Sequence, residues 1–318
     1  MGPLKLALPV ALLSAAPESF AQFDLSEPRD QLQRSLRNSD IGAGYAQMLH
    51  FFLDPSISVS RLEDDDGTEY DIFKAPVQFE IPVEDRAWQV VVRGTLSHAR
   101  ADNSFTLLDD EEIDGTWKAV SGQLGLGVLV PAGEHLSWLV AGQYGISRME
   151  NSADYKGGFS EEFLAPILDG ILFNWETNAH IASITGGLDY RRRLVDRYDL
   201  RLVARYTFSH IASYSESRDL PSFDADTGTL AFKADLEHPL GASVIGRPLF
   251  GVVHLGATAF TGPTRDALGF SHFYELGYAV GVDVRERNRW FRDFTLGVQL
   301  NAGSDVEGVS LVFGWRLK

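Results

Sequence analysis

The chain has 318 residues, 44% of them hydrophobic, no cysteine, and a formal net charge of −16. The lack of thiols excludes disulfides, thiolate metal centres and cysteine nucleophiles. The acidic balance argues against a nucleic-acid partner, because phosphate binding needs a surplus of Lys and Arg. Past the N-terminus no uninterrupted apolar run reaches the roughly 18 residues of a membrane-spanning helix. The 30 glycines and the aromatic set (6 Trp, 10 Tyr, 20 Phe) favour strands instead.

Residues 1–21 read as an export signal. Lys5 is followed by an apolar stretch from Leu6 to Ala16 and a small-residue end at Ser19-Phe20-Ala21. That stretch is too short to span a bilayer but suits a secretory signal. Cleavage near Ala21 leaves Gln22 as the mature N-terminus. Residues 22–55 form a helical segment: Ser26-Glu27-Pro28 supplies a cap with Pro in the first turn. Gly42 and Gly44 interrupt, Tyr45 to Leu53 reads as a second apolar helix, and Asp54-Pro55 ends it.

From residue 56 the period becomes two. Val90, Val92 and Leu96 alternate with Arg93, Thr95 and Ser97. Leu124, Leu126 and Val128 oppose Gln123, Gly125 and Gly127, and Leu202, Tyr206 and Phe208 oppose Arg201, Arg205 and Thr207. The pattern predicts half-buried strands near 56–62, 70–81, 87–99, 116–130, 136–148, 178–192, 200–213, 228–238, 248–260, 270–285, 289–301 and 307–318. Connections alternate between tight (Pro82–Asp85, Pro131–Glu134, Asp196–Asp199, Glu286–Asn288, with a longer Pro239–Arg247) and polar loops (Ala101–Asp114, Asn151–Asn174, Ser215–Thr227, Thr261–Leu268). Short turns at one end and long loops at the other predict an all-β fold, a closed antiparallel transmembrane barrel of about 12 strands over residues 56–318. The helical segment is then expected in or near the lumen. Trp88, Trp117, Trp138, Tyr144, Tyr190, Trp290 and Trp315 are expected in the two interfacial belts.

The polar row of this pattern nominates Lys74, Glu80, Arg93, Asp189, Arg191, Arg201, Arg205, Lys233, Asp235, Glu237, Glu275 and Asp283 as pore-lining residues. With Arg316 and Asp293 the two signs balance. That predicts a salt-bridged lining, or a cradle for the helical segment, rather than a strongly selective pore. The acidic runs at 63–66, 109–112 and 161–162 read as solvated loops. In the loop Asn151–Asn174, the apolar run Phe163–Phe173 either folds inward or meets a partner. Among candidate hydrolytic residues, His210 and Ser213 lie three apart on a strand and so face opposite ways, out of hydrogen-bond reach. No catalytic set, metal site or cofactor is expected.

The chain ends Glu307-Gly-Val-Ser-Leu-Val-Phe-Gly-Trp-Arg-Leu-Lys318. This resembles the terminal assembly signal of outer-membrane barrels, although such chains usually stop on the aromatic rather than on Arg316-Leu317-Lys318. Together with the segment Asp54-Pro-Ser-Ile-Ser-Val-Ser60 leading into the first strand, twelve strands behind a helix resemble the β-domain of the solitary, passenger-less autotransporters. The resemblance covers residues 26–318. It implies a non-enzymatic protein of the Gram-negative outer membrane, an autotransporter-like translocator or narrow plugged channel. The implied partners are outer-membrane lipids and lipopolysaccharide, periplasmic chaperones and the barrel assembly machinery. The alternatives are an outer-membrane hydrolase or a surface receptor built on the long loops.

Overall fold

The structure is a computed structural model. It describes residues 57–317 apart from 66, 109–110, 195–196, 216, 218–221, 263–264, 266–269 and 287–289. The expected signal and helical segment lie outside the described residues.

Twelve strands follow one another: β1 (Ile57–Asp64), β2 (Glu69–Pro82), β3 (Gln89–Leu108), β4 (Glu111–Pro131), β5 (Leu136–Lys156), β6 (Trp175–Arg193), β7 (Asp199–Tyr214), β8 (Asp224–Val244), β9 (Arg247–Thr261), β10 (His272–Asp283), β11 (Phe291–Gly303) and β12 (Val306–Leu317). Each pairs with its neighbours in sequence, and β12 pairs back onto β1, with Val59 opposite Leu311. The sheet is a closed antiparallel barrel. No described helix is long and apolar enough to cross a membrane.

Alternation sets the two faces of the wall. On β4 the outward row includes Val120, Leu124, Leu126 and Val128, and on β3 it includes Leu96; Leu124 is 74% exposed, Leu126 65% and Leu96 64%. Burying one such side chain is worth about 1.5–3 kcal/mol. A belt of them running round the barrel far exceeds the few hundred Å² that a soluble protein leaves bare. Lipid is the solvent that fits this face. Trp138, Tyr144 and Trp290 also face out, each more than half exposed.

Three expectations need correcting. Trp117 is not in a belt: it is 4% exposed, faces the interior, and packs edge-on against Trp175 with ring centroids 6.2 Å apart. It lies an odd number of residues from the lipid-facing row of β4, so the pleat turns it inward. Ala101–Asp114 is not a polar loop: β3 and β4 continue as one hairpin, paired from Gln89–Leu129 up to Leu108–Glu111. Above the lipid-facing rows the outer face of this hairpin carries Arg100, Asp102, Glu112 and Asp114, whereas Ala99, Ala101, Ile113 and Trp117 remain buried. The solvated outer row makes the segment look like a loop while the inner row keeps it strand.

The connection between Pro239 and Arg247 is likewise mostly strand. β8 runs to Val244, with a register irregularity between Pro239 and Ser243. The turn is Ile245-Gly246, both at positive φ (52° and 70°). That pair of values is the tight hairpin geometry matching strand twist.

Closure rests on β12, which pairs with β1 on one side and β11 on the other. Deleting residues 309–318 should therefore leave two open edges in lipid, where backbone groups have no other partner. The expected result is loss of the fast-migrating folded species when unheated and boiled samples are compared on a detergent gel. A truncated protein that keeps that species would place closure elsewhere.

The lumen as candidate functional site

The inner face of the barrel is divided by height. Toward the long-loop end it is apolar. Leu62, Tyr70, Ile113, Trp117, Trp175, Phe260 and Phe273 are all buried there. The β5–β6 connection fills the space between them: a π-helical turn (Ser160–Leu164) runs into a one-turn helix, α1 (Ala165–Leu168), and the chain then doubles back. Leu164, Ile167, Leu168, Ile171, Leu172 and Phe173 of this segment are each at most 7% exposed. The apolar run Phe163–Phe173 thus folds inward and corks the barrel. From β10's approach, Phe270 adds to the same core against Tyr70, Phe260 and Phe273.

Polar clasps hold the cork. The Glu111 carboxylate, at the top of β4, accepts the backbone N–H groups of Phe159 (3.1 Å) and Ser160 (2.7 Å). Tyr155 donates its hydroxyl to Asp169 (2.7 Å), and Asn174 donates to the same carboxylate (2.7 Å) while accepting the Ala153 N–H (2.9 Å). The Trp175 indole N–H donates to the Leu172 carbonyl (3.1 Å).

Toward the short-turn end the lining is charged. Asp189, 3% exposed, is shared by three guanidiniums: Arg201 at 2.8 Å, Arg191 at 3.0 Å and Arg205 at 3.7 Å. Arg191 also reaches Glu80 across from β2 (3.0 Å). Arg205 donates to the carbonyls of Leu188 (2.7 Å) and Ala204 (3.1 Å). It lies across Gly187 of the neighbouring strand, where an added Cβ would sit 2.6 Å from its Cδ, so a bare glycine leaves the guanidinium room to reach Leu188 and Asp189 on that strand.

A second group closes the other side. Asp235 holds His254 Nδ1 at 2.7 Å and lies 3.5 Å from Lys233. His254 Nε2 is 3.7 Å from Glu275. Gln299 donates to Glu275 and to Asn301 (3.4 Å), Asn301 donates to Ser310 (2.8 Å), and Ser310 to Ser60 (2.7 Å). At the rim, Arg316 bridges Glu237 and Asp293, both at 2.7 Å, and Arg285 engages Asp283.

The sequence-nominated residues therefore do not form one site. Lys74, Arg93, Arg201, Arg205, Lys233 and Glu275 line one cavity. Glu80, Asp189 and Arg191 flank it through Asp189, Asp235 through Lys233, and Glu237 and Asp283 sit at the rim in other pairs. Sequence reasoning missed His254, Gln299 and the Glu111 clasp. His254 shares the inward parity of β9 with Thr258 and Phe260, so alternation could have flagged it. The clasp joins residues 48 and 49 apart in sequence, and no local pattern announces it. His210 points outward onto Asp226 (2.8 Å), while the Ser213 hydroxyl accepts the Phe223 N–H (2.8 Å). Among the described residues no three His, Asp or Glu side chains are placed to hold a metal.

Two outcomes follow from these contacts. Hydrogen bonding from Ser160, together with the Phe159 amide, holds the Glu111 carboxyl below the usual carboxylate range. A group depressed on folding contributes stability that is complete above its unfolded value of about 4.3. That contribution disappears as pH falls through the lower folded value. Acidification below about pH 4, or Glu111→Gln at neutral pH, should speed hydrogen exchange in residues 157–173 before the wall strands. Unchanged exchange there would remove the clasp from the account. Separately, Asp189→Asn leaves three guanidiniums without their shared anion. A deeply buried pair broken this way costs about 3–5 kcal/mol. Partial hydration of the arginines reduces this to about 2 kcal/mol, readable as a lower urea midpoint.

The comparisons with known proteins agree with this architecture. Solved structures of the same form include the β domain of the Bordetella autotransporter BrkA, at 11% identity and TM-score 0.50, covering 82% of this chain and 96% of that one. The transport unit of the autotransporter AIDA-I from Escherichia coli matches at 11% identity and TM-score 0.51, covering 87% and 98%. At such identities the likeness concerns the fold alone. Among curated proteins none matches the sequence. The family described as "Solitary outer membrane autotransporter beta-barrel domain" matches residues 63–316. A wall of twelve strands closed on itself, clothed in lipid-facing side chains and matched to that family over most of its length, establishes that the chain belongs to the solitary outer-membrane autotransporter β-barrel domains.

Proposed function

We propose that this outer-membrane barrel is non-enzymatic and rests in a plugged state, its outer end sealed by its own β5–β6 segment. The observation that carries the reading is the burial of Ile167, Leu168, Ile171, Leu172 and Phe173 inside the wall. An apolar core of this kind excludes water and ions from the upper lumen. The charged lower lumen faces the short-turn end, where Arg191 and Arg316 keep 50% and 41% of their side-chain surface.

The same reading includes export with cleavage near Ala21. It also includes delivery by periplasmic chaperones, insertion by the barrel assembly machinery, and seating against outer-membrane lipids and lipopolysaccharide. These follow from the signal-like residues 1–21 and from the lipid-facing belt. Above that belt sits a charged outer row, with Arg61 on Asp71 (2.8 Å), Arg148 on Glu176 (2.6 Å) and Lys156 on Glu112 (3.1 Å). Paired charges at that level suit a headgroup layer rich in phosphate and divalent cations.

Planar-bilayer recording tests the plug. The full mature chain should show little conductance, and replacing residues 160–172 with a flexible Gly-Ser segment should open a stable channel. Removing residues 22–55 while keeping the cork should leave the barrel closed. A large conductance in the unaltered protein, or none after cork replacement in a barrel shown to be folded, would sink the proposal.

A further inference from the structure

Directly under the apolar core lies a cavity of about 90 Å³, enough for several waters or one small ionic group. Its charged lining is Lys74, Arg93, Arg201, Arg205 and Lys233, with Glu275 as the carboxylate among the described residues. Carboxylates near this lining are engaged already. Asp189 is divided among Arg191, Arg201 and Arg205, Glu80 takes Arg191, and Asp235 lies against Lys233 and His254.

Arg93 is left over. Its Nη1 is buried and makes no hydrogen bond among the described residues. Its positive charge acts on Arg205 alongside those of Arg201 and Arg191. Around the Asp189 node Arg191, Arg201 and Arg205 share two carboxylates, Asp189 and Glu80, and Arg93 adds a fourth positive charge beside them. A buried donor with no acceptor costs its full desolvation, and converging like charges add to that cost. An anion seated between them would relieve both. Guanidinium forks match the two-oxygen edge of a carboxylate or phosphate, and Gln78 and Ser58 add neutral donors in the same lining.

We propose that this cavity binds a small oxyanion, a phosphate or carboxylate group, that enters from the short-turn end. The sealed upper lumen is not required for this: the site would exist in a conducting barrel too, so failure of one reading leaves the other standing.

The test uses the full mature chain in an uncharged detergent and a phosphate-free buffer. Inorganic phosphate and acetate are titrated separately, with chloride at matched ionic strength, and the heat-unfolding midpoint is read. At least one of the two oxyanions should raise the midpoint saturably, by about 5 °C at a hundredfold excess over its Kd. Which of them does so identifies the headgroup chemistry. Arg93→Gln should abolish the shift, and Lys118→Gln, on the outer face above the lipid belt, should keep it. If Arg93→Gln does not fold, Arg93→Lys serves instead, with affinity expected to fall about tenfold for the lost second donor. The proposal is overturned if neither oxyanion shifts the midpoint, if chloride shifts it equally, or if Arg93→Gln or Arg93→Lys binds as tightly as the unaltered chain.

Discussion

The constraint on which everything else depends is that lipid offers no hydrogen bond. A strand in hydrocarbon must satisfy every backbone N–H and C=O within the wall, so the sheet has to close. Here closure falls to the pairing of Ile57–Asp64 with Val306–Phe313, residues about 250 positions apart. Once the wall is closed, pleating gives each strand one face for lipid and one for the lumen. The composition of the two faces is then a consequence of what each one meets.

What the inner face meets changes with height. Where the wall rises above the apolar belt, its outer row is charged and solvated while its inner row is Ala, Ile, Trp and Met. The relation of inside to outside is there that of a soluble protein. An apolar inner row needs partners, and the β5–β6 segment supplies them as a miniature core. Lower down, the outer row is apolar and the inner row carries charges. The cork and the charged lining answer opposite halves of one problem, the filling of a tube whose wall is fixed by hydrogen bonding.

The charged half is held by shared ions rather than isolated pairs. Asp189 serves three arginines, His254 sits between Asp235 and Glu275, and Arg316 spans Glu237 and Asp293. Such networks fix the side chains of neighbouring strands relative to each other and so resist shear of the wall. Removing one member exposes the remainder to uncompensated charge. Balance over the whole lumen nevertheless conceals local surplus, because the cavity that Arg93 lines carries, among the described residues, five cationic side chains and one carboxylate, Glu275.

Twelve strands and their alternating faces were legible in the sequence, because a period of two is a local property of the chain. Even Trp117, which was expected in a membrane belt, follows the row that the alternation of β4 defines once parity is applied strictly. The apolar run Phe163–Phe173 was visible too, but its destination was not. Whether it turned inward depended on the space left between β1, β4, β6, β9 and β10, which exists only after closure. The same holds for the Glu111 clasp and for the sharing of Asp189 by residues of two strands. Local pattern sets which way a side chain points. Which charges meet across the lumen, and which one is left without a partner, is decided by strand stagger and barrel width, both properties of the closed wall alone.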